Sequence, residues 1–436
     1  MKVLYDISLL GLAHIHPNFR TGLHRVIQTV AERLVNKPEI ELIFSSSYDI
    51  NSLAYLGTNP KLSHIPFSLP AHLHTIKKID ELTKKRHTLI DKVDADKGKN
   101  LIKKLSRKMQ IRYVWLQEKI YNLHNPGNDG DLINPKDLQQ ADIYHSPYYG
   151  IPEQVRRAKK KNVFITSYDL IPVLGAQYVT PGQTAWFENL LASITPETWA
   201  LCISRDCRDD LLNYLGNRIN PDRVKVTELA ASDNFYPSTN KENNKEIRKK
   251  YGIPDGQYML SLCSLEPRKN IDGVIKAFTK IVQQESIPDL NLVLVGPQAW
   301  GLDKMFQALE ASKALKNRII LPGFVADEDL AALYSEALVF VYPSFYEGFG
   351  LPPLEAMQCG TPAITSNTTS LPEVVGDAGI MIPPTDLDAL CDAMLSIYKS
   401  PSLRENLSKR SLERAKKFSW EKCLQQIVDA YKLSLS

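Results

Sequence analysis

The stretch Tyr346-Glu347-Gly348-Phe349-Gly350-Leu351-Pro352-Pro353-Leu354-Glu355-Ala356 decides how this chain is read. Just upstream, the apolar run Leu338-Val339-Phe340-Val341-Tyr342 has the character of a buried strand. Just downstream, two prolines mark a helix start, because proline lacks the N–H that a first turn leaves without a partner. The spacing predicts a helix beginning near Pro352 or Pro353, with Glu355 in its first turn and Glu347 in the loop before it. Gly348 and Gly350 leave the loop backbone bare, so its amides can approach a ligand. Strand, glycine loop and helix, with two carboxylates eight residues apart, make a site for something anionic and hydroxylated at the carboxyl edge of a parallel sheet. The plainer alternative for Glu355 is that the helix macrodipole favours an acid in a first turn whatever its function.

Working outward, the second half alternates apolar runs with amphipathic segments. Strands are expected at 258–263, 292–296, 318–322, 338–343, 362–366 and 380–383. Between the first two, Val274, Ile275, Phe278, Ile281 and Val282 share one face of a helix over Ile271–Gln284. Such spacing means βαβ units and a doubly wound parallel sheet. The first half repeats the pattern more loosely, with strands near 2–7, 40–45, 142–146, 162–167 and 199–204. The polar run 238–245 marks the junction, dividing the chain into a domain of residues 1–237 and one of 238–415, with a final helix over 416–436.

At 436 residues, two domains are the natural expectation. The 43% hydrophobic and 23% charged content is that of a globular enzyme, and a net charge of +4 does not suggest a nucleic-acid partner. Six cysteines without CxxC pairing argue against a disulfide framework or a zinc site and suit a reducing compartment. The start Met1-Lys2-Val3-Leu4-Tyr5-Asp6-Ile7 reads as a first strand rather than a signal peptide. No apolar run approaches the roughly 18 residues of a membrane span, so a cytoplasmic location is expected.

Residues 70–140 interrupt the pattern. From Lys77 to Tyr121, 14 Lys or Arg accompany six Asp or Glu. Leu101, Leu105, Met109, Tyr113, Leu116 and Ile120 recur at helical spacing and define one apolar stripe. Such an insert either meets the inner face of an anionic membrane as a peripheral contact or is a solvated helical pair packed on the first domain.

In Ser264-Leu265-Glu266-Pro267-Arg268-Lys269-Asn270 two cations precede a helix whose N-cap is Asn270. The positive end of the helix dipole opposes them by roughly 0.3–1 kcal/mol per charge. A bound diphosphate accepting from Arg268, Lys269 and the helix amides would remove the conflict. Exposed basic residues without a ligand are the alternative.

The string Glu347 to Glu355 resembles the E-x7-E motif of the retaining GT-B glycosyltransferases of the large glycogen-synthase-like family, which includes mannosyltransferases. Residues 265–278 are similar to that family's "EPRKN…AF" segment. The resemblance covers nearly all of the second half and scattered motifs of the first. It implies the GT-B fold: two Rossmann-like, doubly wound parallel-sheet domains facing a cleft. It assigns Glu347 to the donor sugar, Glu355 to the nucleotide ribose, and the backbone of Gly348, Phe349, Gly350 and Leu351 to sugar and phosphate oxygens. Arg268 and Lys269 would serve the donor diphosphate. Phe324 or Val325, in Pro322-Gly323-Phe324-Val325, stands at the base-binding turn, though a strand-end aromatic is as readily core.

In the amino half, Gly22 corresponds to a glycine that lets the loop approach the diphosphate. His145 ends a strand where it could contact acceptor or donor sugar, or is an ordinary strand-end histidine. Ser167-Tyr168-Asp169-Leu170-Ile171-Pro172 resembles the family's "HDL-x-P" segment, except that Tyr168 replaces the histidine and, being neutral near pH 7, cannot act as a cation. Asp169 either accepts a proton from the acceptor hydroxyl or caps the following turn.

The expected activity is retaining, metal-independent transfer of a hexose from a GDP- or UDP-linked sugar. GDP-mannose is favoured by family company. The acceptor would be a glycan or lipid-linked oligosaccharide in surface polysaccharide biosynthesis. The nucleotide-diphosphate sugar is a substrate, and neither cofactor nor metal is expected. The alternatives are a catalytically silent sugar-nucleotide-binding subunit, supported by Tyr168, and a GT-B epimerase or phosphorylase.

Overall fold

The computed structural model describes residues 1–15, 22–47, 51–69, 81, 85, 88, 110–115, 132–297 and 303–436. These form two compact units, residues 1–165 with Leu435 and residues 166–434 with Ser436. Of the basic insert, only scattered residues are described. Gln110–Trp115 is helical there, with Val114 buried and Tyr113 62% exposed, so in this turn the buried face is not the one expected from Tyr113. The remainder of that stripe lies outside the described residues.

Twelve strands build two six-stranded sheets. The first contains β1 (Lys2–Asp6), β2 (Glu41–Ser45), β3 (Ile143–Ser146), β4 (Val163–Ser167), β5 (Trp199–Cys202) and β6 (Val224–Val226), in the order β2-β1-β3-β4-β5-β6. The second contains β7 (Tyr258–Leu262), β8 (Asn291–Val295), β9 (Ile319–Gly323), β10 (Val339–Tyr342), β11 (Ala363–Ser366) and β12 (Ile380–Ile382), in the order β12-β11-β10-β7-β8-β9. β10 pairs in parallel with both β7 and β11. Every expected strand exists, with ends shifted by one or two residues; β6 is an additional, three-residue strand without a strong apolar signal.

Parallel sheets are covered on both faces, which explains why their strands read as continuous apolar runs. β8, β10 and β11 are buried along their whole length. The helix Ile271–Gln284 turns Val274, Ile275, Phe278, Ile281 and Val282 into the core. Each such side chain contributes about 1.5–3 kcal/mol on burial.

The sheet order fixes where a site can sit. In the second sheet the chain steps outward from β7 to β9, then returns to place β10 on the other side of β7. The carboxyl ends of β7 and β10 therefore flank a topological switch point, the position where open α/β sheets leave a crevice. The loops leaving these two strands are 263–270 and 343–350, which carry the basic pair and Glu347.

One local expectation is corrected. The helix after β10 spans Leu351–Gln358, beginning one or two residues earlier than the prolines suggested. Gly350, at φ 112° and ψ 51°, is its N-cap, and the left-handed backbone glycine tolerates lets Leu351 take the first position. Glu355 thus lies in the second turn, beyond the macrodipole's first-turn preference. Within the polar run at 238–245, Asn240 caps a helix over Lys241–Lys250, accepting from the Asn243 amide at 3.1 Å. Buried Asn244 bonds Ser238 and Glu336 at 2.6 and 3.0 Å.

Candidate active site

Tyr342 ends β10, and the eight residues before the next helix bring Glu347 back over the loop that leaves β7. Glu347 is buried, with its Oε1 accepting from Lys269 Nζ and Ser344 Oγ, both at 2.6 Å. Its Oε2 lies 3.0 Å from Arg268 Nη1. Arg268 also donates through Nη2 to Glu266 Oε1 at 2.6 Å, and Lys269 donates to the Tyr342 hydroxyl at 2.6 Å.

The backbone of Glu347 is held as firmly as its side chain. Its amide donates to Thr369 Oγ1 at 3.1 Å, and its carbonyl accepts from Ser370 Oγ at 2.8 Å. Ser370 also reaches the Phe349 carbonyl at 2.9 Å, and Ser204 Oγ donates to the Gly348 carbonyl at 2.7 Å.

The electrostatics follow from these contacts. Burial alone would raise the Glu347 pKa; Arg268 and then Lys269 overcome that and pull it down to about 2. Burial would lower that of Arg268, yet Glu347 and Glu266 raise it well above the ordinary value. Both groups are charged at any physiological pH. Asp169 shows the opposite balance, because burial raises its pKa more than Arg268 lowers it. Its Oδ1 accepts from the Ile171 amide at 2.9 Å, so it caps the following turn.

The conflict expected between two cations and a helix N-terminus has an internal solution. Pro267–Lys269 forms one 3-10 turn, Asn270 takes a left-handed conformation, and the cations turn back to Glu266 and Glu347. Asn270 is the N-cap by position, but its side chain makes no cap; Nδ2 donates instead to the carbonyls of Pro343 and Pro384, at 3.2 and 2.7 Å.

Residues 243–414 match the family described as Glycosyl transferases group 1. The chain is 37% identical over 292 residues to O-antigen chain mannosyltransferase B of Escherichia coli, covering 67% of this chain and 74% of that relative. The chain belongs to the group 1 glycosyl transferases. It is also 32% identical over 269 residues to the serotype-specific mannosyltransferase WbdA of Escherichia coli, covering 61% of this chain but only 32% of WbdA. The crystal structure of Anabaena HepE in complex with UDP superposes with a TM-score of 0.64 at 15% identity, over 99% of this chain and 100% of that one. That likeness establishes the GT-B fold.

Within this glycosyltransferase the structure gathers Arg268, Lys269, Glu347 and Asp169 into one charged cluster. Glu355 lies on the adjoining helix, buried, with Oε2 accepting from the Tyr334 hydroxyl at 3.1 Å. Phe349 is buried and meets Phe418 edge-to-face at 5.8 Å, while Leu351 is half-buried at the helix start. Phe324 is 76% exposed and Val325 is buried, so the valine, not the aromatic, belongs to the core.

Gly348 also meets a packing demand. A Cβ there would stand 1.9 Å from the Tyr168 carbonyl oxygen, so the missing side chain admits the 168–169 backbone. In the first unit, Gly22 opens the helix Gly22–Leu34, and among the described residues no atom lies within 4 Å of where its Cβ would stand. His145 is buried, edge-on to Tyr5 at 5.0 Å, and burial pushes its pKa down to about 3, leaving a neutral imidazole.

Sequence reasoning overlooked the groups that position Glu347: Tyr342, Ser344, Thr369, Ser370 and Ser204. The hydroxyl run Ser366-Asn367-Thr368-Thr369-Ser370 was visible, but nothing local linked it to a loop some twenty residues earlier. It also overlooked the acidic start of the helix Arg205–Leu215. There Tyr346 donates its hydroxyl to Asp210, and Glu373 accepts from the amides of Arg205 and Asp206 at 2.9 and 2.7 Å. Among the described residues no helix is long and apolar enough to cross a membrane.

Proposed function

We propose that this glycosyltransferase moves mannose from GDP-mannose, with retention of anomeric configuration, onto a mannose-containing glycan or lipid-linked acceptor of a surface polysaccharide. The observation that carries the reading is the buried Arg268–Lys269–Glu347 cluster at the β7–β10 switch point. The mannosyl and polysaccharide parts rest on the 37% identity to O-antigen chain mannosyltransferase B.

On this reading Arg268 and Lys269 turn from Glu347 towards the donor diphosphate and stabilise charge growing on the leaving oxygen, without need of a metal ion. Glu347, kept anionic, orients donor hydroxyls and faces the positive charge developing on the sugar ring. Asp169 is suited to take the proton of the acceptor hydroxyl, because a raised carboxyl pKa makes a better base. Glu355 holds the ribose. The backbone of Gly348, Phe349, Gly350 and Leu351 meets sugar and phosphate oxygens, with Phe324 near the base. The cationic composition of 77–121 supports a peripheral contact with the inner membrane face.

Radiolabelled GDP-mannose and UDP-hexoses, each given with a mannose-terminated acceptor and with EDTA, test the reading. Transfer from GDP-mannose with an α-linked product is expected, and the double variant Arg268→Ala/Lys269→Ala should lose at least about tenfold in donor affinity, since each charge-assisted bond contributes about 1.5–3 kcal/mol. Wild-type donor affinity in that variant, or transfer only from UDP-sugars, would overturn it.

A further inference from the structure

A cavity of about 380 Å³ opens beside the charged cluster and is lined by Glu266 and Pro267 of the loop that carries its two cations. Its wall carries Tyr178 and Phe345, whose rings are nearly parallel, 12° apart, with centroids 6.3 Å from each other. Both rings are half-buried. Phe345 is fixed from behind, its amide donating to the Arg268 carbonyl at 2.9 Å.

The polar groups of the wall are unlike those of a phosphate site. Glu266 gives one carboxylate oxygen to Arg268 at 2.6 Å, and Asp272 gives one to Lys276 at 2.8 Å. The second oxygen of each remains to accept from a ligand. Gln177 and Lys304 also line the cavity. The two carboxylates are each paired with a cation, so the wall does not concentrate positive charge as a diphosphate site would, and it suits a neutral molecule rich in hydroxyl donors. Aromatic faces carry the negative end of the ring quadrupole and attract the polarised C–H face of a pyranose. The volume is near the lower end of the roughly 300–1,000 Å³ usual for small-molecule sites, enough for a sugar unit rather than a whole nucleotide sugar.

We propose that this cavity binds a pyranose ring of the acceptor glycan, seated on Tyr178 and Phe345 with its hydroxyls donating to Glu266 and Asp272. The proposal rests on the transferase reading above and adds the place of the acceptor. The ring is thereby held next to Arg268 and Glu347 without competing for the cations that the donor needs.

The test uses the full chain, wild type and two variants, Tyr178→Ala and Asp272→Asn. Each variant is expected to raise the acceptor KM about 3–10-fold, by loss of an aromatic contact or a charged hydrogen bond. Dissociation of GDP-mannose should stay within about twofold of wild type, as expected for residues outside the diphosphate contacts. In parallel, saturation-transfer NMR with methyl α-mannopyranoside should give a signal in the wild type that weakens in both variants. An unchanged acceptor KM and NMR signal in both variants would overturn the proposal, and so would a donor affinity that falls as far as the acceptor's. If the wild type transfers nothing, the assigned activity fails, while the NMR titration still decides whether the cavity holds a sugar.

Discussion

The two sheets each possess a switch point, and the acids placed there behave oppositely. At the second, Glu347 is buried against two cations and held near a pKa of about 2. At the first, between β1 and β3, Asp6 is buried among hydroxyls. Its Oδ1 accepts from the Ser8 amide at 2.8 Å, and its Oδ2 from Ser47 Oγ, which in turn lies 2.8 Å from the Tyr144 hydroxyl. Burial raises the Asp6 pKa, and the hydrogen bonds from Ser47 and Ser8 offset this only in part. Similar topology thus provides two buried carboxyls at strand ends, and neighbouring charge alone separates their chemistry. A fold offers the position; the residues decide its use.

The contrast can be broken most directly at Glu347. Glu347→Ala leaves Arg268 and Lys269 buried without their shared anion, which should cost about 3–5 kcal/mol in urea unfolding. Turnover should also fall further than donor affinity. Because the folded pKa lies below the ordinary 4.5, this stabilisation is complete above pH 4.5 and is lost as pH falls towards 2. A variant as stable as wild type at pH 7 would remove the premise that charge pairing holds the loop.

Gly348→Ala is next in size. Its Cβ meets a backbone oxygen that cannot rotate away, so a loss of about 1–3 kcal/mol is expected by chemical denaturation. Asp6→Asn should cost only about 1 kcal/mol, since an amide replaces the acid among groups that can donate or accept. The raised carboxyl pKa gives the opposite pH dependence to Glu347: relative to wild type, the asparagine variant should do best at high pH and lose ground as pH falls. Equal costs for Glu347→Ala and Asp6→Asn would erase the distinction between the switch points.

The smallest effect sharpens the comparison within one sheet's surroundings. Asp206 lies among acids, and burial, then Asp210 and Glu373, push its pKa up to about 7. Its ionised form opposes folding above that pH, so Asp206→Asn should raise Tm slightly at pH 8. The gain should shrink below pH 7 and vanish below pH 4, as followed by scanning calorimetry.

Much of the architecture was legible because burial on both faces of a parallel sheet writes continuous apolar runs into the chain. β7 to β12 and the helix Ile271–Gln284 were readable for that reason, whereas three-residue β6 depends on its neighbours. The basic pair and Glu347 were legible as residue types in strand-end loops. Their direct contact was not, since 78 positions separate Lys269 from Glu347. Glycine was the least transparent signal: Gly350 serves a positive φ, while Gly348 serves the approach of Tyr168.

Local periodicity and turn chemistry, carried by neighbours a few positions apart, sufficed for the strands, the principal helices and the loops that bear the charges. Only the tertiary structure decided that the cations answer Glu347 and that Tyr178 meets Phe345. Those outcomes depend on which loops the sheet order brings together, and contact between distant segments leaves no period in a sequence.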